Sequence, residues 1–341
     1  MRVVIATVQS PFIKGGAELH AKGLMEACKH AGYLSDIVSI PFCHGPDHER
    51  VRHYMDIWEN EDFTRFNGCN PDITICLKFP AYYLHHPNKR LWLLHQHRVV
   101  YDLWQEKNGI PKSLKSHILE KDTYHLSQIN HRFTNSRNVS KRLLHYNNLT
   151  STPLYHPPYL AKAFYSKPSL PYIFYPSRLE RLKRQELLIE AMRLVRSPVK
   201  ALIAGTGGQF EYYENLIAQY GLSEKVKLLG EVGSEELLSL YAHALGVFFG
   251  PMDEDYGYVT LEAMLAGKPV ITCTDSGGPL EFVEHNETGL ITEPDPARIA
   301  DVIETLAANF KAAEEMGRAG LEKYQEMEIT WDHVLETLLA P

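Results

Sequence analysis

Residues 248–290 read FFGPMDEDYGYVTLEAMLAGKPVITCTDSGGPLEFVEHNETGL, and they decide the fold class of this chain. The apolar run Leu245–Phe249 has the length and composition of a buried strand, and Pro251 and Gly257 punctuate the loop after it. From Val259 to Leu265 the apolar spacing turns helical. Gly267-Lys268-Pro269 then closes the helix before a second apolar run, Val270–Thr272. Glu254 is thereby placed on a loop leaving a strand, and Glu262 in the first turn of the next helix. In a parallel α/β sheet that place is a ligand crevice at the carboxyl ends of the strands. Backbone amides around Gly257–Thr260 suit a phosphate, and two nearby carboxylates suit sugar hydroxyls.

Working outward, the 341 residues predict about two domains, each large enough for its own core. No apolar run approaches the length of a membrane span, and the N-terminal RVVIATV reads as a strand rather than a signal peptide. Five scattered cysteines (28, 43, 69, 76 and 273), without Cys-x-x-Cys spacing, fit a reducing cytoplasm. The net charge of −7 is uneven. Residues 1–160 hold 19 Lys and Arg against 14 Asp and Glu, a net of +5, and the remainder holds 16 against 28, a net of −12. Either the second half simply has solvated acidic helices, or the first half faces an anionic lipid-phosphate acceptor or membrane surface.

In chain order, Arg2–Ser10 reads as a first strand, and the loop Pro11–Gly16 leads into a helix running to about Ala31. Gly15 and Gly16 at that helix start can let backbone N–H groups approach an anion, or can form a plain turn. Further strands are expected at Ser35–Ile40, Ile73–Leu77 and Leu91–Leu94. After the last come His95 and His97, which would share one face of an extended segment. They suit two metal ligands, a polar pocket wall, or nothing in particular, since 14 of the 17 histidines precede residue 160. No third ligand stands at a diagnostic spacing. Arg98, Tyr101 and Asp102 follow without an assignable role. HRFTNS (residues 131–136) and the helical stretch after it read as the last sheet element of the first domain. Prolines 157, 158, 168 and 171 then mark a stiff linker.

The second domain opens with IFYPSRLERLKRQELLIEAMRLV: a strand, a basic loop and an amphipathic helix. VKALIAGTGGQF is a strand followed by glycines, but the third glycine of a dinucleotide fingerprint is replaced by Phe210. VKLLGEV offers one more strand. Alternating elements continue to Ile291, followed by a helical stretch over Pro296–Tyr324 and a last amphipathic helix, ITWDHVLETLL.

The ordered string from Glu254 to Glu262 fits an E-x7-E signature, with Tyr256-Gly257 and Leu261-Glu262-Ala263 in place and Gly277-Gly278, Glu281 and Gly289 continuing it. It resembles the retaining, GT-B-fold glycosyltransferases of family 4, the group 1 enzymes. The resemblance implies an α/β fold of two Rossmann-like, doubly wound domains facing a central cleft. Residues 1–160 would form the acceptor side, with a C-terminal helix over 325–341 crossing back onto it, and residues 161–324 would bind the donor.

It implies transfer of a hexosyl unit, with UDP-hexose favoured over GDP-mannose, to a hydroxyl of a glycan or lipid-linked acceptor in polysaccharide or envelope-glycan synthesis. Arg178 and Lys183 match the cations of an R-L-x-x-x-K motif, although Ser177 stands where the family has glycine. The alternative is a solvated basic loop beside Arg181 and Arg184, but the preceding strand and the spacing favour the cation pair. GGAELH resembles the family's first glycine-rich loop, which brings Gly15 and Gly16 to the donor. His95 matches its cleft histidine better than His97. Glu254 would hold the donor sugar, Glu262 the ribose, and Arg178, Lys183 and the amides at Gly257, Tyr258, Val259 and Thr260 the diphosphate. Gly205, Asp255 and Tyr256 complete the donor set. No metal and no other cofactor are expected, and no nucleic-acid partner. The expected location is the cytoplasm, peripheral to the inner face of the membrane.

Three rivals share parts of this pattern. A metal-dependent GT-A transferase could use Asp253-Glu254-Asp255 as a D-x-D motif. A non-hydrolysing sugar-nucleotide epimerase shares the fold, and a non-catalytic nucleotide-sugar-binding subunit could keep it.

Overall fold

A computed structural model describes residues 1–12, 15–42, 48–105 and 109–340. The chain divides into two compact units, Met1–Tyr159 with Thr330–Pro341, and Leu160–Ile329.

The first unit runs β1 (Arg2–Gln9), α1 (Gly16–His30), β2 (Leu34–Pro41), α2 (His48–Asn60), β3 (Ile73–Lys78), β4 (Lys89–His95), α3 (Lys112–Ser127), β5 (His131–Thr134), α4 (Arg137–Asn147) and β6 (Thr152–Pro153). Its six strands are all parallel, in the order β2-β1-β3-β4-β5-β6. Central strands of such a sheet are covered on both faces, which is why β3 reads ITICLK and is buried at all six positions. Side chains alternate across the sheet: Val4, Ala6 and Val8 of β1 enter one apolar core, Val3 and Ile5 the other. HRFTNS is not the last sheet element, as the sequence suggested. β6 follows it, an edge strand of two residues, Thr152 and Pro153, where the missing N–H of the proline is tolerated.

The second unit runs β7 (Tyr172–Pro176), α5 (Gln185–Met192), β8 (Lys200–Ala204), α6 (Phe210–Gln219), β9 (Val226–Gly230), α7 (Ser234–His243), β10 (Gly246–Phe248), α8 (Tyr258–Leu265), β11 (Val270–Cys273), β12 (Gly289–Thr292), α9 (Pro296–Ala308) and α10 (Phe310–Glu326). The single helical stretch expected over Pro296–Tyr324 is two helices. Asn309 ends α9 and its side chain accepts from the Ala312 amide at 3.1 Å, capping α10. The strand order is β12-β11-β10-β7-β8-β9, again all parallel. The chain winds from β7 outward through β8 and β9, then returns to β10 and winds the other way. The switch point of this Rossmann order therefore lies between β7 and β10.

The last helix, α11 (Trp331–Leu338), belongs to the first unit. Its Val334, Leu335 and Leu338 join the core containing Trp92 and Leu24. Trp331 lies so close to α1 that a Cβ on Gly23 would come within 2.5 Å of its ring.

Candidate functional site

The switch point in the second unit is where loops from both halves of the sheet meet. Ser177–Arg184 leaves β7, Phe249–Gly257 leaves β10, and Thr274–Gly277 leaves β11. The three are tied by backbone hydrogen bonds. The Met252 amide donates to Leu182 at 2.8 Å and the Asp253 amide to Asp275 at 2.9 Å. Glu254 is held on both sides, its amide donating to Ser276 at 2.9 Å and its carbonyl accepting from Gly278 at 2.8 Å.

Within this frame the Lys183 ammonium meets the Glu254 carboxylate at 2.5 Å, both side chains mostly buried. The same ammonium lies 5.5 Å from the centre of the Phe249 ring. Arg178 is exposed, and its guanidinium has no hydrogen-bond or ion-pair partner among the described residues. Two cations that the sequence paired thus differ: Lys183 is engaged and Arg178 is open to a ligand.

Gly205 sits at φ +134° in the loop after β8, where a Cβ would fall 2.0 Å from the Ser177 carbonyl. Only glycine lets this loop close on the strand exit before Arg178. Asp255 is partly exposed, and Tyr256 is buried with its ring edge-on to Tyr258 and Phe282. Tyr256 therefore anchors the loop. Gly257, in the left-handed region at φ 91°, caps α8. The Thr260 amide donates to the Gly257 carbonyl at 3.0 Å, and the side chain is fully buried. Thr260 thus leaves the amide set expected to face a phosphate. Val259 packs into both apolar cores of the unit.

Glu262 is the fifth residue of α8, in its second turn rather than the first, because the helix begins at Tyr258. The Tyr241 hydroxyl donates to its Oε2 at 2.5 Å, and no described residue donates to Oε1. Burial raises the Glu262 carboxyl above the ordinary carboxylate range, with the Tyr241 bond pulling the other way. Tyr241 was missed from the sequence; 21 positions separate the pair and nothing local announces it.

Arg184 was also missed. Its guanidinium bridges the β10 and β11 loops, donating to the carbonyls of Gly250 and Pro251, each at 2.8 Å, and bidentately to Asp275 at 2.7 and 2.8 Å.

The remaining expected residues lie in the first unit. Gly15 and Gly16 open α1, but the Gly15 amide is occupied by Glu18 Oε2 at 2.9 Å. Ile13 and Lys14 of this loop fall outside the described residues. His95 ends β4, partly exposed, with Nδ1 2.7 Å from the Gln96 carbonyl. His97 lies past the strand end and is buried, stacked on Phe79 at 4.9 Å and edge-on to Phe42. His97 is thus packed into the apolar core, while His95 stays partly open at the strand end.

Arg98 donates twice to Asp102, at 2.6 and 2.9 Å, and Arg142 approaches the other oxygen at 3.5 Å. Tyr101 donates to buried Asp122 at 2.5 Å, as does Tyr83 at 2.7 Å. These three residues brace the unit. Among the described residues no group of three His, Cys, Asp or Glu is placed to hold a metal, and no helix is long and apolar enough to cross a membrane.

This architecture is the GT-B fold. A sucrose-phosphate synthase from Thermosynechococcus elongatus superposes with a TM-score of 0.78 at 20% identity, over 98% of this chain and 96% of that one. Residues 162–323 match the model of glycosyl transferases group 1, so the second unit is similar to the domains of that group. The GDP-mannose-dependent alpha-(1-6)-phosphatidylinositol monomannoside mannosyltransferase of Mycobacterium tuberculosis is 37% identical over 158 residues, 43% of this chain and 40% of that protein. Human alpha-1,3/1,6-mannosyltransferase ALG2 is 31% identical over 166 residues, 44% of this chain and 40% of its own length. The match thus spans about two fifths of each relative.

Proposed function

We propose that the protein is a retaining hexosyltransferase. It moves a sugar from a nucleoside-diphosphate donor, held by the second unit, to a hydroxyl of a glycan or lipid-linked acceptor on the first. The observation that carries this reading is the convergence of Lys183 and Glu254 at the β7/β10 switch point, with the Gly257 helix start and Glu262 on the same loop and helix. A diphosphate there finds open Arg178, the Lys183 ammonium and the positive end of α8. In this reading Glu254 accepts from sugar hydroxyls, and the Oε1 of Glu262 from the ribose.

In this reading the bond between the anomeric carbon and the phosphate oxygen breaks first, and the two cations stabilise the charge gathering on the diphosphate. The acceptor oxygen then bonds to the same face, and its proton passes to the departing diphosphate. Positioning and electrostatics supply the catalysis.

UDP-hexose is the favoured donor by family resemblance, and the name of the mycobacterial relative supports GDP-mannose as the second candidate. The acceptor class fits polysaccharide or envelope-glycan synthesis at the cytoplasmic face of a membrane. A thermal-shift panel of UDP, GDP and ADP with their sugars should single out one base, because a ligand that binds only the native state raises the melting temperature. Nucleotide release that depends on an added acceptor would then establish transfer. A chain that binds a sugar nucleotide and only interconverts or retains it would overturn the proposal.

A further inference from the structure

We propose that Arg184 is a positioning residue of the transfer site: its guanidinium locks the loop after β10 to the loop after β11, and thereby fixes where the Glu254 carboxylate meets Lys183. The inference rests on the function proposed above, and it concerns a residue that touches no substrate.

Arg184 stands in the left-handed region, at φ 55° and ψ 44°, immediately before α5. That conformation suits glycine, or asparagine and aspartate, whose short side chains can bond locally. An arginine also gives no side-chain acceptor to the helix start, and the Arg184 side chain makes no cap bond there. Local structure therefore disfavours arginine at this position, and the reason for it lies in what the side chain reaches. Four N–H bonds go to acceptors 66, 67 and 91 positions away: the carbonyls of Gly250 and Pro251 and both carboxylate oxygens of Asp275. The guanidinium is mostly buried, with 13% of its side chain exposed, while Asp275 keeps 44%. Four of its five donors are thus spent on protein. Arg184 is a brace, whereas Arg178 is open to ligand.

The braced segments are those that carry Glu254. Gly250 and Pro251 begin its loop. Asp275 begins the segment whose Ser276 carbonyl and Gly278 amide grip the Glu254 backbone, and the Asp275 carbonyl takes the Asp253 amide. On the other side Arg184 is bonded through the chain to Lys183, and the preceding Leu182 carbonyl accepts from Met252. One planar fork therefore joins the three loops whose junction is the Lys183–Glu254 contact. A lysine could keep the charge but not the fork, because it has no planar set of donors.

The test is a set of four variants: Arg184→Gly, which suits the backbone angle, Arg184→Lys, Asp275→Ala, and a double variant that combines Arg184→Gly with Asp275→Ala. Arg184→Gly should lower kcat by tenfold or more while the affinity for free nucleoside diphosphate stays within about twofold, since the groups that meet the diphosphate are untouched. Arg184→Lys should not rescue kcat. Asp275→Ala should lose less, and the double variant should be no worse than Arg184→Gly alone, because both substitutions break one clamp.

Hydrogen–deuterium exchange reads the clamp without any substrate. Amides of 250–257 and 274–278 should exchange faster in Arg184→Gly, with strand amides unchanged. Unaltered exchange in those segments, or wild-type kcat in Arg184→Gly, overturns the proposal. If the wild-type protein transfers no sugar from any donor, the proposed function fails on its own and the exchange result alone decides the clamp. Should Arg184→Gly fail to fold, Asp275→Ala, altered on an exposed side chain, carries the same exchange test.

Discussion

Lys183 and Glu254 are 71 positions apart in the chain, yet ammonium and carboxylate are 2.5 Å apart, with 16% and 22% of their side chains exposed. Without ligand each charge neutralises the other, so under the proposed function a donor shares Lys183 with Glu254 rather than finding it free. The two glutamates should then separate in mutation. Glu254→Ala should leave nucleoside-diphosphate affinity intact, or tighten it by no more than about fivefold, the worth of a modest ion pair. Turnover should fall by about 10²–10³. Glu262→Ala should weaken free nucleotide by about tenfold as well as slowing turnover. Calorimetric titration of UDP and GDP into both variants decides it, and equal losses of nucleotide affinity would sink this division of labour.

The first unit contains a titratable brace whose effect on stability has a defined sign. Asp122 is fully buried under Tyr83 and Tyr101, and burial pushes its carboxyl up to about 6 from 3.8, against the pull of the tyrosine hydroxyls. Between those values the folded protein holds a proton that the unfolded chain releases. This contribution is present in full below about pH 4 and is lost as pH rises to about 6. Asp122→Asn removes the titration. The melting-temperature advantage of wild type over Asp122→Asn should therefore be several degrees larger at pH 4 than at pH 7, in line with a shift worth on the order of 3 kcal/mol. Parallel melting curves across that range would contradict it.

The parts of the site that were legible in the sequence are those contiguous in it. Glu254, Gly257 and Glu262 lie within one strand–loop–helix, and apolar periodicity alone placed that unit at a crevice. The helix start was misread by one residue because Tyr258 is aromatic and could belong to either loop or helix, and that moved Glu262 a turn. Arg184 and Tyr241 were invisible for a different reason: their partners at 250, 251, 275 and 262 are brought near only by strand order. Seen locally, Arg184 was one more charge in a basic loop. His97 misled in the opposite direction. As a polar residue just past β4 it looked like a pocket-wall candidate, and instead its ring is buried against Phe79. The two-residue β6 carried too short a pattern for any periodicity to show.

Charge asymmetry leads to a prediction about location. Residues 1–160 net +5, and Asp332 and Glu336 of the last helix leave the first unit at +3 against −10 for the second, so the first unit should bind anionic vesicles. The full chain should float with phosphatidylserine-containing liposomes at low salt, remain behind with neutral ones, and lose binding as ionic strength approaches about 0.5 M and charge is screened. Absence of flotation at low salt would leave the charge difference as a matter of solvated acidic helices in the second unit.

The last prediction concerns metal. A diphosphate leaving group needs positive potential, and a D-x-D carboxylate pair can provide it only by holding a divalent cation. Here Asp253 and Asp255 flank a glutamate whose carboxylate is already paired with an ammonium, and the Asp253 backbone sits in the left-handed region at φ 45° as part of the loop geometry. In the proposed reading positive potential comes instead from exposed Arg178, from Lys183 and from the α8 helix start. Transfer, or donor hydrolysis where the acceptor is unknown, should persist in EDTA after exhaustive metal removal. Asp253→Asn should change turnover by less than about threefold, whereas Arg178→Ala and Lys183→Ala should each cost about 10²-fold or more. Lys183→Ala should also leave Glu254 facing the diphosphate unpaired, so its loss should exceed that of Arg178→Ala. Activity abolished by EDTA and restored by manganese or magnesium, together with an inactive Asp253→Asn, would assign the chemistry to the metal-dependent class and remove Lys183 from the leaving-group role.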